Sequence, residues 1–179
     1  PGRRADLVVF DSFHNLAIEA VFRGGQRVAV HGQLAPWPRS PHQPTVRSSI
    51  NVAWEQVDLR VPARGSKIRV IGARAGDLRT QHLVEPAKIE DGAAVADVER
   101  DLLKLAVIER HLASGNVGKG FVRGFGLQRG ALASTVAHDH HNLIVLGADD
   151  QSMMTAARAV VEMRGGMAVA EGEEVLARL

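Results

Sequence analysis

Cysteine and tyrosine are both absent from the 179 residues, and aromatic side chains make up only 4% of them. Without cysteine there can be no disulfide framework, no thiolate metal site and no cysteine nucleophile, a usage that suits a cytoplasmic protein. No apolar run approaches the roughly 20 residues that carry a helix across a bilayer, so no membrane partner is expected. The shortage of aromatics removes the stacking platforms on which single-stranded nucleic acid is held. Nor does one sign of charge dominate: 22 basic residues face 20 acidic ones, for a net charge of +2. Arg3, Arg23, Arg39, Arg60, Arg79, Arg110, Arg129 and Arg158 are strewn along the chain rather than gathered into a patch, which argues against a nucleic-acid partner. The chain opens on Pro1 instead of methionine and reads as a piece of a longer protein.

What is present is globular in character, with 45% apolar and 23% charged residues. Residues 5–10 (ADLVVF) have the length and composition of a buried strand. Ile18, Ala20 and Phe22, then Val28 and Val30, alternate with polar or small residues around Gly24–Gly25, which predicts a hairpin. Three such strands cannot close a core, so the rest of their sheet is expected elsewhere. Pro36, Pro38, Pro41 and Pro44 then forbid helix and central strand alike. We read residues 35–60 as a linker or arm, with Trp37 as its anchor, separating strands in 1–34 from a domain over 61–179.

Within that domain, residues 66–73 and 79–84 alternate as an antiparallel hairpin, and Pro86 with Glu90–Gly92 reads as loop. Residues 103–110 (LKLAVIER) fit a strand or a helical stripe, and the glycine-rich stretch that follows favours strand. Asp149–Asp150 can cap a helix whose apolar face is Ala156, Ala157, Val160, Val161 and Met163, and Gly165–Gly166 ends it. Met167–Ala170 and Val175–Leu179 suggest a closing hairpin. One helix among many strands is an α+β fold, mainly antiparallel.

Ser134 and Thr135 precede the densest polar cluster, His138-Asp139-His140-His141-Asn142, which lies between the apolar runs ALASTVA and LIVLG. In an extended backbone, His138, His140 and Asn142 would share one face. A sharp turn would instead gather the side chains at the ends of two strands, the better geometry for a site. Imidazoles beside a carboxylate can ligate a divalent metal or move protons near neutral pH, and the same run could equally be a hydrogen-bonded knot that holds two strands in register. The H-x-H spacing of His138 and His140 also occurs on metal-bearing strands of amidohydrolases. Cysteine-dependent deaminase patterns, H-E-x-x-H and G-x-S-x-G are absent.

Gly115-Asn116-Val117-Gly118-Lys119-Gly120 hints at a phosphate loop, but Lys119 is followed by glycine rather than Ser or Thr, and no dinucleotide register fits. Its glycines are read as turn and close-packing positions, with Phe121, Val122 and Phe125 facing a core. His82, and His111 beside Glu109 and Arg110, are read as isolated polar groups on strands.

The stretch AVIERH…GNVGKGFVRGFGLQRGALASTVAHDHHNLIVLGADD, Ala106 to Asp150, closely resembles the C-terminal domain of the microbial adenine deaminases. PGRRADLVVFD with VFRGGQRVAVHG, Pro1 to Gly32, is similar to the last strands of the small β-domain that accompanies amidohydrolase barrels. The resemblance implies hydrolytic deamination of adenine to hypoxanthine and ammonia, with Mn, Fe or Zn activating a water for attack at C6. It also implies that the metal ligands lie in a barrel outside these residues, that the fragment alone is inactive, and that the enzyme is a homo-oligomer. In the family the position of His140 is more often serine, which leaves His138, Asp139, His141 and Asn142 as the supporting motif. The rival reading is a non-catalytic module for oligomerisation or ligand sensing.

Overall fold

Alternating apolar residues and left-handed glycine turns organise the first part of the chain into a meander of four short antiparallel strands. They are β1 (Leu7–Phe10), β2 (Ile18–Arg23), β3 (Gln26–Val30) and β4 (Gln33–Leu34), ordered β1-β2-β3-β4. The computed structural model describes residues 2–36 and 49–179. Trp37 and the prolines at 38, 41 and 44 lie outside these described residues. The chain divides into two compact units, Pro1–Val46 and Arg47–Leu179.

In the first unit the expectation of a buried strand over residues 5–10 is corrected. The strand forms, but Leu7, Val8 and Val9 are 56%, 53% and 42% exposed. A lone four-stranded sheet has two faces and nothing of its own to cover both. Asp11 closes the β1–β2 turn, its carboxylate accepting from the Ser12 and Ala17 N–H groups and from Asn15 Nδ2.

The second unit is built on an eight-stranded sheet. Its strands are β6 (Lys67–Arg74), β7 (Asp77–Pro86), β10 (Leu103–Ile108), β11 (Val117–Arg123), β12 (Ala131–Ser134), β13 (Leu143–Gly147), β14 (Met167–Glu171) and β15 (Glu174–Arg178). Their spatial order is β15-β14-β12-β13-β10-β11-β6-β7. Neighbours are antiparallel except β11 and β6, which run parallel from Phe121↔Val70 to Arg123↔Gly72. A three-stranded sheet of β5 (Val61–Pro62), β9 (Ala93–Val95) and β8 (Lys88–Glu90) stands beside it. The expected loop at Glu90–Gly92 is therefore the tip of a β8–β9 hairpin, with Asp91 and Gly92 both at positive φ.

The single α-helix among the described residues, α1 (Asp150–Glu162), starts where Asp149 caps it: the carboxylate accepts from Ser152 N and Ser152 Oγ, both at 2.7 Å. Met153, Ala156, Ala157 and Val160 are buried against Ala131, Ala133, Leu143, Val145, Ala168 and Ala170 of the sheet. Alanines on the strands let the helix approach closely, and Gly147 is required there, since a Cβ would meet Met153 Cγ at 2.6 Å. Val52, Trp54 and Val57 pack against the same core, and Arg158 stacks 4.5 Å above the Trp54 ring. The buried Lys104 reaches Asp150 Oδ1 at 2.6 Å and the Leu59 carbonyl at 3.1 Å, tying the helix start to the sheet.

The strand over 103–110 ends at Ile108, and Glu109 to Asn116 form a loop. In the glycine-rich stretch Phe121 and Val122 are buried as expected, whereas Phe125 is 52% exposed. Asp101 explains the difference. Its carboxylate accepts from Gly124 N and Gly126 N, pinning a turn that carries Phe125 outward.

Candidate functional site

Residues 135–142 join β12 to β13, and residues 109–116 join β10 to β11. Because β10 pairs with β13 and Ile108 stands opposite Leu143, both loops emerge at the same end of the sheet.

The sharp-turn alternative is the one adopted. His140 N and His141 N both donate to the Ala137 carbonyl, at 3.2 and 2.6 Å, and His141 sits at φ +51. Ser134 Oγ accepts from Val136 N at the loop's start. Thr135 Oγ1 accepts from Gly166 N at 2.9 Å, anchoring the loop to the end of the helical segment.

His138 and Asp139 stand side by side at the tip, with Nε2 and Oδ1 3.5 Å apart and their side chains 89% and 86% exposed. His140 is exposed as well, and its Nδ1 accepts from Asn142 N at 3.0 Å. The His141 side chain is exposed and Asn142 is half-buried. Asn142 Oδ1 is buried with no hydrogen-bond donor among the described residues. The four expected residues thus share one loop, but their side chains do not converge on a point. Among the described residues no group of three or more His, Asp or Glu side chains could hold a metal ion.

The neighbouring loop supplies what the sequence reading missed. Arg110 is buried at 8% exposure. Its Nε donates to the His141 carbonyl, and its Nη1 donates to Ser49 O at 3.0 Å and Ser49 Oγ at 2.9 Å. All three acceptors are neutral oxygens. His111 Nε2 donates to the His140 carbonyl at 3.3 Å. Asn51 completes the brace, with its N donating to Arg110 O and its Nδ2 to His111 O. Arg110 and His111, read as lone polar groups, are the posts that hold the histidine loop. The available signal was the abrupt change from LKLAVI to ERH, which marks a strand end rather than a strand.

Glu109 shapes its own loop. Its carboxylate accepts from the backbone N–H groups of Ser114, Leu112 and His111 and from Ser114 Oγ. These donors, Ser114 N first, hold its pKa down to about 2 from an ordinary 4.5.

Comparison with known proteins gives this constellation a context. The sequence pattern of the adenine deaminase C-terminal domain matches residues 77–179. The chain belongs to the adenine deaminase C-terminal domain family. That match takes in every strand from β7 to β15, helix α1 and both loops of the candidate site. Adenine deaminase of Desulfatibacillum aliphaticivorans is 42% identical over 98% of the chain, and that of Methanothrix thermoacetophila 40% identical over 98%. Adenine deaminase of Oleidesulfovibrio alaskensis is 45% identical over 100% of the chain. In each case the chain spans 31% of the relative's length. The family relationship accords with the resemblance carried by Ala106 to Asp150.

Proposed function

We propose that this chain supplies the C-terminal portion of an adenine deaminase. The whole enzyme replaces the exocyclic amino group of adenine with oxygen from water, giving hypoxanthine and ammonia. The observation that carries this reading is the match of adenine deaminases over 98–100% of the chain but only 31% of their own length. On this reading the enzyme is a metal-dependent amidohydrolase of purine salvage in the cytoplasm, using Mn, Fe or Zn. Among the described residues no group of side chains fits a metal centre; on this reading its ligands and the bond-breaking step belong to the part of the enzyme outside this span. Residues 1–34 are the closing strands of the amidohydrolase β-domain, and residues 61–179 the C-terminal domain.

The histidine loop then acts as a polar tip brought to the substrate site of the whole enzyme. His138, Asp139 and His141 supply exposed donors and acceptors for the purine edge or a nearby water. Arg110 and His111 hold the loop through its backbone and leave those side chains unspent, which supports this reading.

Assaying adenine-dependent ammonia release from this chain and from the full-length enzyme tests the proposal. The full-length enzyme is expected to be active and the chain alone inactive; turnover by the chain alone overturns the division of labour. In the full-length enzyme, replacing His138 and His141 together by Ala is expected to lower kcat about tenfold with melting temperature and sedimentation unchanged. Unaltered kcat, or loss of assembly with intact chemistry, removes the loop from the substrate site.

A further inference from the structure

Strands β6 and β11 meet along only three residue pairs, Phe121↔Val70 to Arg123↔Gly72. Toward the ends from which both strands start, the ladder stops. Lys67–Arg69 and Val117–Gly120 run on there without pairing each other, each still held by its other neighbour, β7 or β10. The sheet therefore forks, at the same end from which loops 109–116 and 135–142 emerge.

Bond alternation fixes which backbone groups the fork presents. Glu109 N donates to Asn116 O at 3.0 Å, so the backbone groups of Gly118 and Gly120 turn to β10 and those of Val117 and Lys119 turn to the fork. Ala87 N donates to Ser66 O at 2.9 Å, so the groups of Lys67 and Arg69 turn to it from the other side. The Arg69 N–H, one step beyond the last pair, lies outside the ladder.

The side chains around the fork carry one sign of charge. A cavity of about 560 Å³ is lined by Arg69, Thr80, His82, Lys119 and Gly120, and one of about 430 Å³ by Arg64, Lys67, Ile68 and Lys119. Among the described residues no carboxylate lines either. Lys119 is already engaged, donating to Asp58 Oδ2 at 3.1 Å and to the Arg60 carbonyl at 2.8 Å. Asp58 is spent in turn, because its Oδ1 accepts from Arg60 N. Arg64, Lys67 and Arg69 have no ion-pair partner among the described residues. The cavity beside Lys88, Asp97, Glu99 and Arg129 is different. It holds both signs, and Lys88–Glu90, Arg100–Asp97 and Arg129–Glu171 pair there at 3.1, 2.7 and 3.4 Å.

We propose that the β6–β11 fork binds a phosphate group, either free or carried by a small molecule of nucleotide size. Three uncompensated cations ask for more charge than one carboxylate carries. A phosphate monoester supplies about −1.5 to −2 near neutral pH, and its oxygens accept the paired donors of an arginine. Both cavities have the volume of ordinary ligand pockets. Val61, Pro62, Ile68 and Ala94 give one of them an apolar wall for an uncharged remainder of the ligand. A Cβ on Gly120 would meet nothing within 4 Å, so packing inside the chain does not demand glycine there, whereas close approach by a ligand does.

Calorimetric titration of the full chain at low salt tests the site with inorganic phosphate, adenosine monophosphate and adenosine as probes. The nucleotide is expected to bind saturably at one site per chain, inorganic phosphate to displace it, and adenosine not to bind. Tighter binding of the nucleotide than of inorganic phosphate assigns the fork to a phosphoester; equal affinity assigns it to free phosphate. The double variant Lys67→Gln, Arg69→Gln, at exposed positions, is expected to weaken binding about tenfold, with Arg129→Gln unchanged. Should the double variant fail to fold, Arg64→Gln alone carries the test, with a smaller loss expected. No saturable binding of either phosphate probe at millimolar concentration overturns the proposal, as does unaltered affinity in the variants or equal binding of adenosine. Binding of a long polyanion such as heparin where neither small probe saturates overturns it in favour of a macromolecular partner. Binding of inorganic phosphate by the chain but not by the full-length enzyme overturns it too, since an acidic segment of the longer protein would then fill the fork.

Discussion

The two loops at the end of the large sheet lie side by side and are held in different ways. Loop 109–116 is organised from within: Glu109 spends both carboxylate oxygens on the N–H groups of its own loop. Loop 135–142 adds to its own turn bonds a grip from outside, with Arg110 and His111 donating to its carbonyls and Gly166 at its base. One loop consumes its polar side chain to build itself. The other keeps His138, Asp139 and His141 pointed at solvent. Density of polar residues therefore says little about availability; what matters is whether the backbone has already claimed them.

Removing the external brace should break this contrast most severely. Arg110→Ala deletes a buried guanidinium with three acceptors and is expected to cost about 3 kcal/mol, a melting-temperature loss of roughly 6–12 °C. Urea unfolding measures the loss, and Arg110→Lys should recover part of it. A loss below about 0.5 kcal/mol would mean that the histidine loop stands without the brace.

The internal brace should fail more locally. The pKa of Glu109 is depressed, so its stabilising contribution is complete above the ordinary 4.5 and disappears as pH falls through about 2. Amide exchange at Leu112 and Ser114 should quicken over that window and at neutral pH in Glu109→Gln, with His140 and His141 amides little changed. Equal quickening in both loops would show that they move as one unit. The smallest effect belongs to the exposed tip: His138→Ala and Asp139→Ala should each shift unfolding by less than about 0.5 kcal/mol. A larger loss would mean that these side chains serve the fold after all.

Much of the fold was legible because it rests on local chemistry. The hairpin at 66–84, the Asp149 cap and the closing hairpin all follow from alternation, a capping carboxylate and paired glycines. The misplaced features depend on partners distant in sequence. Residues 49–60 follow a proline-rich stretch and look like arm, yet Val52, Trp54 and Val57 pack on a core made more than fifty residues later. Phe125 reads as core until Asp101 fixes the turn that turns it out. The histidine cluster was visible from composition, but its dependence on Arg110 was not, because nothing in ERH announces that β10 will lie against β13. Leu7, Val8 and Val9 read as buried because burial was inferred from side-chain type alone.

The parallel junction between β11 and β6 has a consequence for how the molecule is assembled. The β6–β7 ribbon can zip up by itself, since its partners are close neighbours along the chain. Joining the main sheet through Val70 and Phe121 must wait until some fifty intervening residues have found their places. That narrow junction, three residue pairs long, is where the sheet should part first under mechanical load, releasing the ribbon as an intact flap while the helix-backed half still holds.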